Sequence, residues 1–279
     1  MRHKFLVYTD LDGTLLDHDT YSFDKALPAL RLLEVENIPL VINTSKSRGE
    51  IERYRSLLGN AHPFISENGG GIFIPEGYFS RKFRYDRTYG GYHVIERGTP
   101  RDILRGVLSR VASETGISIR GISDMSLAEI MESTGLDEES AFLAMERSYS
   151  EPFLIIGGDE AEVGRKIAER GYSYTRGSRF HHILGDNDKG KAVRILTGIY
   201  RNESPSIETI GVGDSLNDLP MLKEVDFPVL VRKRGGIYDS GCRLGNATLA
   251  DGEGPSGFNS ALLKFFIKYE EKTSTENRI

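Results

Sequence analysis

Apolar positions along this chain fall into two rhythms. Phe5-Leu6-Val7-Tyr8-Thr9 is a short run of strand formers that ends at acidic residues. Ala26, Leu27, Leu30 and Leu33 recur at helical spacing between Phe23 and Glu36. Pro39 to Asn43 is a second buried-type strand. Ser47 to Leu58 places Ile51, Tyr54, Leu57 and Leu58 on one helical face, and Gly59 ends it. Phe64-Ile65 is a third strand. Strand–helix repetition with continuous apolar strands predicts a parallel sheet covered on both faces.

The rhythm then changes. Residues 72–79 read as a hairpin around Pro75-Glu76-Gly77, and residues 80–98 are polar, aromatic and Gly-containing. Between 84 and 185 the spacing predicts helix 100–115, strand 117–120 and helices near 126–133 and 137–146. It continues with strand 153–156, helix 159–170 and strands near 172–176 and 180–184. From Lys189 the first rhythm resumes: helix 189–200, strand 207–212, a loop and short helix after Asp214, strand 228–231 and helix 255–269. The pattern predicts an α/β fold, with a Rossmannoid parallel-sheet core in two pieces, 1–83 and 186–279. Residues 84–185 form an inserted α+β domain.

Composition narrows the class. The chain has 279 residues, and 36 Lys and Arg against 41 Asp and Glu leave a net charge of −5. That balance argues against a nucleic-acid partner held by an overall basic field. The single cysteine, Cys242, excludes an intramolecular disulfide and a Cys-rich zinc site. No apolar run approaches the ~18 residues of a membrane span, and the N-terminus lacks a signal-peptide core. A soluble, cytoplasmic protein without a membrane partner is the expectation; the oligomeric state is not encoded in any visible pattern.

Candidate chemistry lies where predicted strands end. Asp10-Leu11-Asp12-Gly13-Thr14 follows the first strand. Two carboxylates two residues apart repel unless a cation or shared proton compensates, and hard oxygen ligands suit Mg²⁺. An Asx-turn with Gly13 at the bend is the structural alternative. Gly213-Asp214-Ser215-Leu216-Asn217-Asp218 follows a later strand; its acids add ligands to that edge, Asp214 or Ser215 caps the next helix, or both hold at once. Thr44-Ser45-Lys46 precedes a helix, where hydroxyls and free N–H groups bind phosphate or simply cap. Lys189 stands at a helix start, which the helix dipole disfavours unless an anion is near.

Other motifs are excluded. Residues 185–191 fit G-x-x-x-x-G-K, but Ala192 stands where a P-loop needs Ser or Thr. Leu216 breaks a dinucleotide G-x-G-x-x-G at 211–216, and neither H-E-x-x-H nor G-x-S-x-G occurs.

The ordered set (DxDGT at 10–14, Thr44-Ser45, Lys189 and GDSxND at 213–218) resembles the haloacid dehalogenase (HAD) superfamily of phosphatases. The insertion looks like its C2B-type cap. Thr44-Ser45-Lys46, Glu67-Asn68-Gly69-Gly70, residues 146–153 and residues 177–182 resemble the subfamily acting on mannosyl-3-phosphoglycerate. The resemblance implies Mg²⁺-dependent hydrolysis to mannosylglycerate and phosphate through an aspartyl-phosphate. Alternatives are a glucosyl-3-phosphoglycerate or general sugar-phosphate phosphatase, and a phosphomannomutase-like phosphotransferase.

By the same resemblance Asp10 is the nucleophile and Asp12 the acid and base. Asp10, Asp12 (through its backbone carbonyl), Asp214 and Asp218 form the metal set, the last with Asn217 in the outer shell. Thr44, Ser45, Lys46 and Lys189 hold phosphate. Glu67, Asn68, Gly69, Arg147, Glu151, Arg179 and His182 bind the rest of a small phosphorylated glycoside.

Overall fold

The computed structural model describes residues 4–176 and 180–276. In chain order its main elements are β1 (Phe5–Thr9), α1 (Leu27–Val35), β2 (Leu40–Asn43), α2 (Arg48–Leu57), β3 (Phe64–Ser66) and β4 (Gly71–Pro75). Next come β5 (Arg87–Tyr89), β6 (Tyr92–Glu96), α3 (Arg101–Thr115), β7 (Ser118–Gly121), α4 (Leu127–Thr134), α5 (Glu138–Met145), β8 (Ser150–Ile156) and α6 (Glu160–Ala168). They are followed by β9 (Ser173–Arg176), β10 (His181–Leu184), α7 (Lys189–Glu203), β11 (Glu208–Gly213), α8 (Leu219–Glu224), β12 (Phe227–Arg232), β13 (Thr248–Glu253) and α9 (Gly254–Glu276).

The chain divides into two compact units. The first holds residues 1–44, 77–83 and 189–279; the second holds 45–76 and 84–188.

In the first unit five parallel strands run in the order β13-β12-β11-β1-β2. Every residue of β1 and β2 is buried, as a strand covered on both faces requires. From β1 the chain steps one way to β2, and from β11 the other way to β12 and β13. The carboxyl ends of β1 and β11 therefore flank a topological switch point, where open α/β sheets place their ligands. Phe5 packs edge-on against Phe265, Phe266 and Tyr269 of α9, fixing that helix to the sheet.

Residues 77–83 are a strap on α7. Tyr78 and Tyr200 share a hydroxyl hydrogen bond, Phe79 packs on Tyr200, and Glu203 accepts from the Ser80 hydroxyl and the Arg81 amide. The predicted hairpin at 72–79 is thus corrected. β4 pairs antiparallel with β6, and the real two-residue turn is Gly90-Gly91 between β5 and β6. Both glycines have positive φ, as a tight hairpin turn demands.

In the second unit β3, β4, β6 and β5 are neighbours in antiparallel order, and a separate antiparallel sheet runs β7-β8-β10-β9. One core, with Leu104, Val107, Val111, Phe153, Val163, Ile167 and Ile183, joins α3 and α6 to that sheet. A smaller cluster (Ile122, Met125, Ile130, Ala141 and Phe180) gathers α4 and α5. No helix among the described residues is long and apolar enough to cross a membrane.

Candidate active site

β1 delivers Asp10 to the switch point. Its amide donates to the Val212 carbonyl at 3.0 Å, which locks the ends of β1 and β11 together. The chain then turns at Gly13, with φ +75°. A Cβ there would lie 3.0 Å from Asp214 Oδ2, so glycine is required by conformation and by space. Asp12 sits half-buried in this turn.

β11 delivers Asp214. At Gly213 a Cβ would come within 2.5 Å of the Asp218 Cβ, so only glycine lets the loop fold back. Asp218 Oδ2 accepts the amides of Asp214 and Ser215, both at 3.1 Å, and the Ser215 hydroxyl. Of the two capping candidates Ser215 stands at the N-cap and forms a capping box with Asp218, and Asp218 has a second role. The other oxygen of Asp218 lies 2.6 Å from Lys189 Nζ.

Lys189 is fully buried at the start of α7. Its ammonium donates to Asp10 Oδ1 at 2.7 Å as well as to Asp218, and Asn43 Nδ2 holds its carbonyl. Gly190 lets α7 approach α8, since a Cβ would sit 2.4 Å from the Pro220 carbonyl oxygen. Two buried anions explain a lysine at a helix N-terminus, where the dipole alone disfavours it. Burial pushes the Lys189 ammonium down, but Asp10 and Asp218 outweigh that and raise its pKa.

The carboxylates pay for their crowding. Burial, with the charges of Asp218 and Asp12, pushes Asp10 up to about 6 despite Lys189. Burial, then Asp218 and Asp10, push Asp214 up to about 8. Asp10, Asp214 and Asp218 each offer a carboxylate oxygen within 4.8 Å of the others. Three ionised carboxylates against one ammonium would leave two negative charges in a buried site, a cost that the raised pKa of Asp214 relieves when no cation is present. An all-oxygen donor set of that charge fits a hard divalent cation. Thr44 is buried at the end of β2, on the same carboxyl edge.

The second unit holds the remaining described residues that the sequence singled out, and the Ser150 hydroxyl links the partners of Glu67 to those of Arg147. The Glu67 carboxylate accepts the amides of Ser148 and Tyr149, each at 2.9 Å, and the Ser150 hydroxyl at 2.6 Å. Glu67, Asn68 and Gly69 all have positive φ, and Asn187 Nδ2 donates to the carbonyls of the first two. That strained turn persists because both sides of it are bonded. Arg147 donates to the Ala144 and Ser45 carbonyls and the Ser150 hydroxyl, and faces Glu50 at 3.5 Å. Glu151 is fully buried and bonded to Arg101 and to the Ser123 amide and hydroxyl.

His182 lies on β10 opposite Pro152 and Thr175. Its Nδ1 is buried without a hydrogen-bond partner among the described residues. Burial, with Arg147 and His181, pushes its pKa down to about 3, so it is a neutral ring at ordinary pH. Arg179 lies outside the described residues.

Sequence reading missed Glu50, Arg101 and Asn187. Ser47-x-x-Glu50 is a capping box visible in the sequence, and the structure forms it in both directions. Arg101 and Asn187 carry no local signal, because their partners are 50 and up to 120 residues away. Burial pushes Glu50 up, but Lys46, Arg147 and the Ser47 bonds outweigh it and lower its pKa. Glu50→Gln should cost about 3 kcal/mol at neutral pH, because two buried cations lose their counter-ion. A depressed carboxylate stabilises above its unfolded pKa of about 4.3, and the contribution fades as pH falls below that value. Urea unfolding should therefore show a wild-type-to-variant gap at pH 7 that narrows below about pH 4.

Comparison with known proteins places this geometry. The model of the haloacid dehalogenase-like hydrolases matches residues 7–85. A glucosyl-3-phosphoglycerate/mannosyl-3-phosphoglycerate phosphatase of Methanococcoides burtonii is 50% identical over 267 residues, covering 95% of this chain and 98% of that protein. A mannosyl-3-phosphoglycerate phosphatase of Pyrococcus horikoshii is 39% identical over 226 residues, covering 81% and 90%. A Thermoplasma acidophilum structure superimposes with a TM-score of 0.69 at 18% identity, over 94% of this chain and 98% of that one. A HAD-superfamily phosphatase of Bacteroides thetaiotaomicron gives 0.66 at 18%, over 95% of each.

The chain belongs to the haloacid dehalogenase-like hydrolases, in the family of the glucosyl-3-phosphoglycerate/mannosyl-3-phosphoglycerate phosphatases. It is a phosphoric monoester hydrolase.

Proposed function

We propose that this enzyme hydrolyses mannosyl-3-phosphoglycerate, and its glucosyl counterpart, to the glycosylglycerate and inorganic phosphate in the cytoplasm. The carrying observation is Asp10, buried at the carboxyl end of β1 and held 2.7 Å from Lys189 beside two further carboxylates. The names of relatives at 50% and 39% identity support the substrate.

In the first step an oxygen of Asp10 attacks phosphorus and the bond to the glycerate oxygen breaks. Asp12 gives its proton to that leaving oxygen. In the second step water attacks the aspartyl-phosphate, Asp12 takes the water proton, and Asp10 is released. Lys189, fixed between Asp10 and Asp218, keeps the nucleophile ionised and oriented. Thr44, Ser45 and Lys46 donate to the oxygens that are not transferred. Mg²⁺ fits the donor set of Asp10, Asp214 and the Asp12 carbonyl, and supplies charge neutralisation for the incoming phosphate. Asp218 and Asn217 fix the surrounding shell.

Residues 84–185 act as the substrate-selecting cap of a core formed by 1–83 and 186–279. Neutral His182 suits a sugar hydroxyl, and Asn68 and Gly69 are assigned to the same substrate. Arg147, Glu67 and Glu151, whose polar atoms are committed to protein partners, position these segments; Arg179 is assigned to the substrate anion. A panel assay of phosphate release tests the reading. kcat/KM on either glycosyl-3-phosphoglycerate should exceed that on glucose 6-phosphate or mannose 6-phosphate by about 100-fold, in line with recognition through buried polar groups. Comparable values would replace it with a general sugar-phosphate phosphatase.

A further inference from the structure

The segment after β12 was not assigned any role by its sequence, yet it borders the loop that carries Asp214 and Asp218. Lys233 to Ile237 closes a tight turn: the Lys233 amide donates to the Ile237 carbonyl and the Gly236 amide returns to the Lys233 carbonyl. Gly235 and Gly236 both have positive φ. The turn aims the Lys233 ammonium at Asp239, 3.0 Å away. The other Asp239 oxygen accepts the Gly241 amide at 2.9 Å, which holds Gly241 against the Leu216 side chain. Leu216 lies between Asp214 and Asp218. A Cβ on Gly241 would come within 3.1 Å of the Leu216 side chain, so the two loops are in close packing there.

Lys233 is also close enough for its charge to act on Asp214. In the structure its ammonium is bonded to Asp239, while its charge also favours the ionised form of Asp214. An ammonium paired with Asp214 would occupy an oxygen that a cation needs. An ammonium paired with Asp239 leaves that oxygen available.

We propose that Asp239 is a positioning residue of the cation site, pinning the 214–218 loop through Leu216 and restraining Lys233 from pairing with Asp214. The inference rests on the divalent-cation reading of the acidic triad. When Asp239 is lost, two things follow: the loop loses an anchor, and Lys233 becomes a competitor for the cation's ligand. The competition makes the idea separable from a merely structural role, because removing the competitor should reverse it.

The test is calorimetric titration of the metal-free full chain with Mg²⁺, needing no turnover. Wild-type protein that takes up no Mg²⁺ would remove the cation reading, and this inference with it. Given wild-type binding, Asp239→Asn, which keeps an acceptor for Gly241, is expected to raise Kd about 10-fold. Asp239→Asn combined with Lys233→Met is expected to recover most of that loss. Lys233→Met alone, a milder change that does not depend on Asp239→Asn folding, is expected to bind at least as tightly as wild type. An unchanged Kd in Asp239→Asn, no recovery in the double variant, or a 10-fold loss in Lys233→Met would each overturn the proposal.

Discussion

Asp10→Asn is expected to lower kcat by about 10⁴-fold or more, the scale on which loss of a covalent nucleophile is felt. Asparagine keeps the volume and one acceptor for Lys189, but it cannot form the acyl-phosphate under these conditions. The same substitution should not destabilise the fold. It removes one acid from a buried cluster whose crowding already raises the pKa of Asp10 and Asp214, so repulsion among Asp10, Asp214 and Asp218 falls. Steady-state phosphate release and a thermal melt on one preparation check both halves. Near-wild-type kcat would remove Asp10 from the chemistry. A large fall in Tm would make the activity loss a folding defect.

Lys189→Met should act on both stability and rate. Lys189 is fully buried, and it is the cation bonded to Asp10 and Asp218. Methionine matches its length but leaves two buried carboxylates without their partner. Removing one member of such a set costs about 3–5 kcal/mol. Urea unfolding of the metal-free variant should show that loss. Mg²⁺ should then stabilise the variant, because binding to the folded state alone adds about 2.7 kcal/mol at 100 times Kd. A variant as stable as wild type without Mg²⁺ would mean that Lys189 does not hold the triad together.

The parts of this site legible in the sequence are those that local rules dictate. β1 is a continuous apolar run, and a fully buried parallel strand must be one. The acids directly after it and after β11 therefore fall on one sheet edge once the strands are parallel. Lys189 stands out because a cation at a helix start is locally unfavourable. Its two partners, 179 and 29 residues away, are invisible until the sheet brings them together.

What was illegible failed for identifiable reasons. β13 reads Thr-Leu-Ala-Asp-Gly-Glu and buries only Ala250 well, because it pairs on one side with β12 as the outer strand of its unit. Such an edge needs no hydrophobic run. Pro75-Glu76-Gly77 has turn chemistry and suggests a hairpin, but Tyr78 and Phe79 bind α7 instead of pairing with β4. The polar networks of the second unit follow the same logic. Glu151 meets Arg101, and Glu67 meets residues 148–150, through folds of the chain that periodicity does not encode.

The mechanism is tested most directly by phosphate release from mannosyl-3-phosphoglycerate by the wild-type chain, measured with Mg²⁺ and again after EDTA. It predicts turnover with Mg²⁺, loss of that turnover on chelation, and its return when Mg²⁺ is added back in excess. Phosphate released at the same rate in EDTA, or no release from this substrate under either condition, would contradict it.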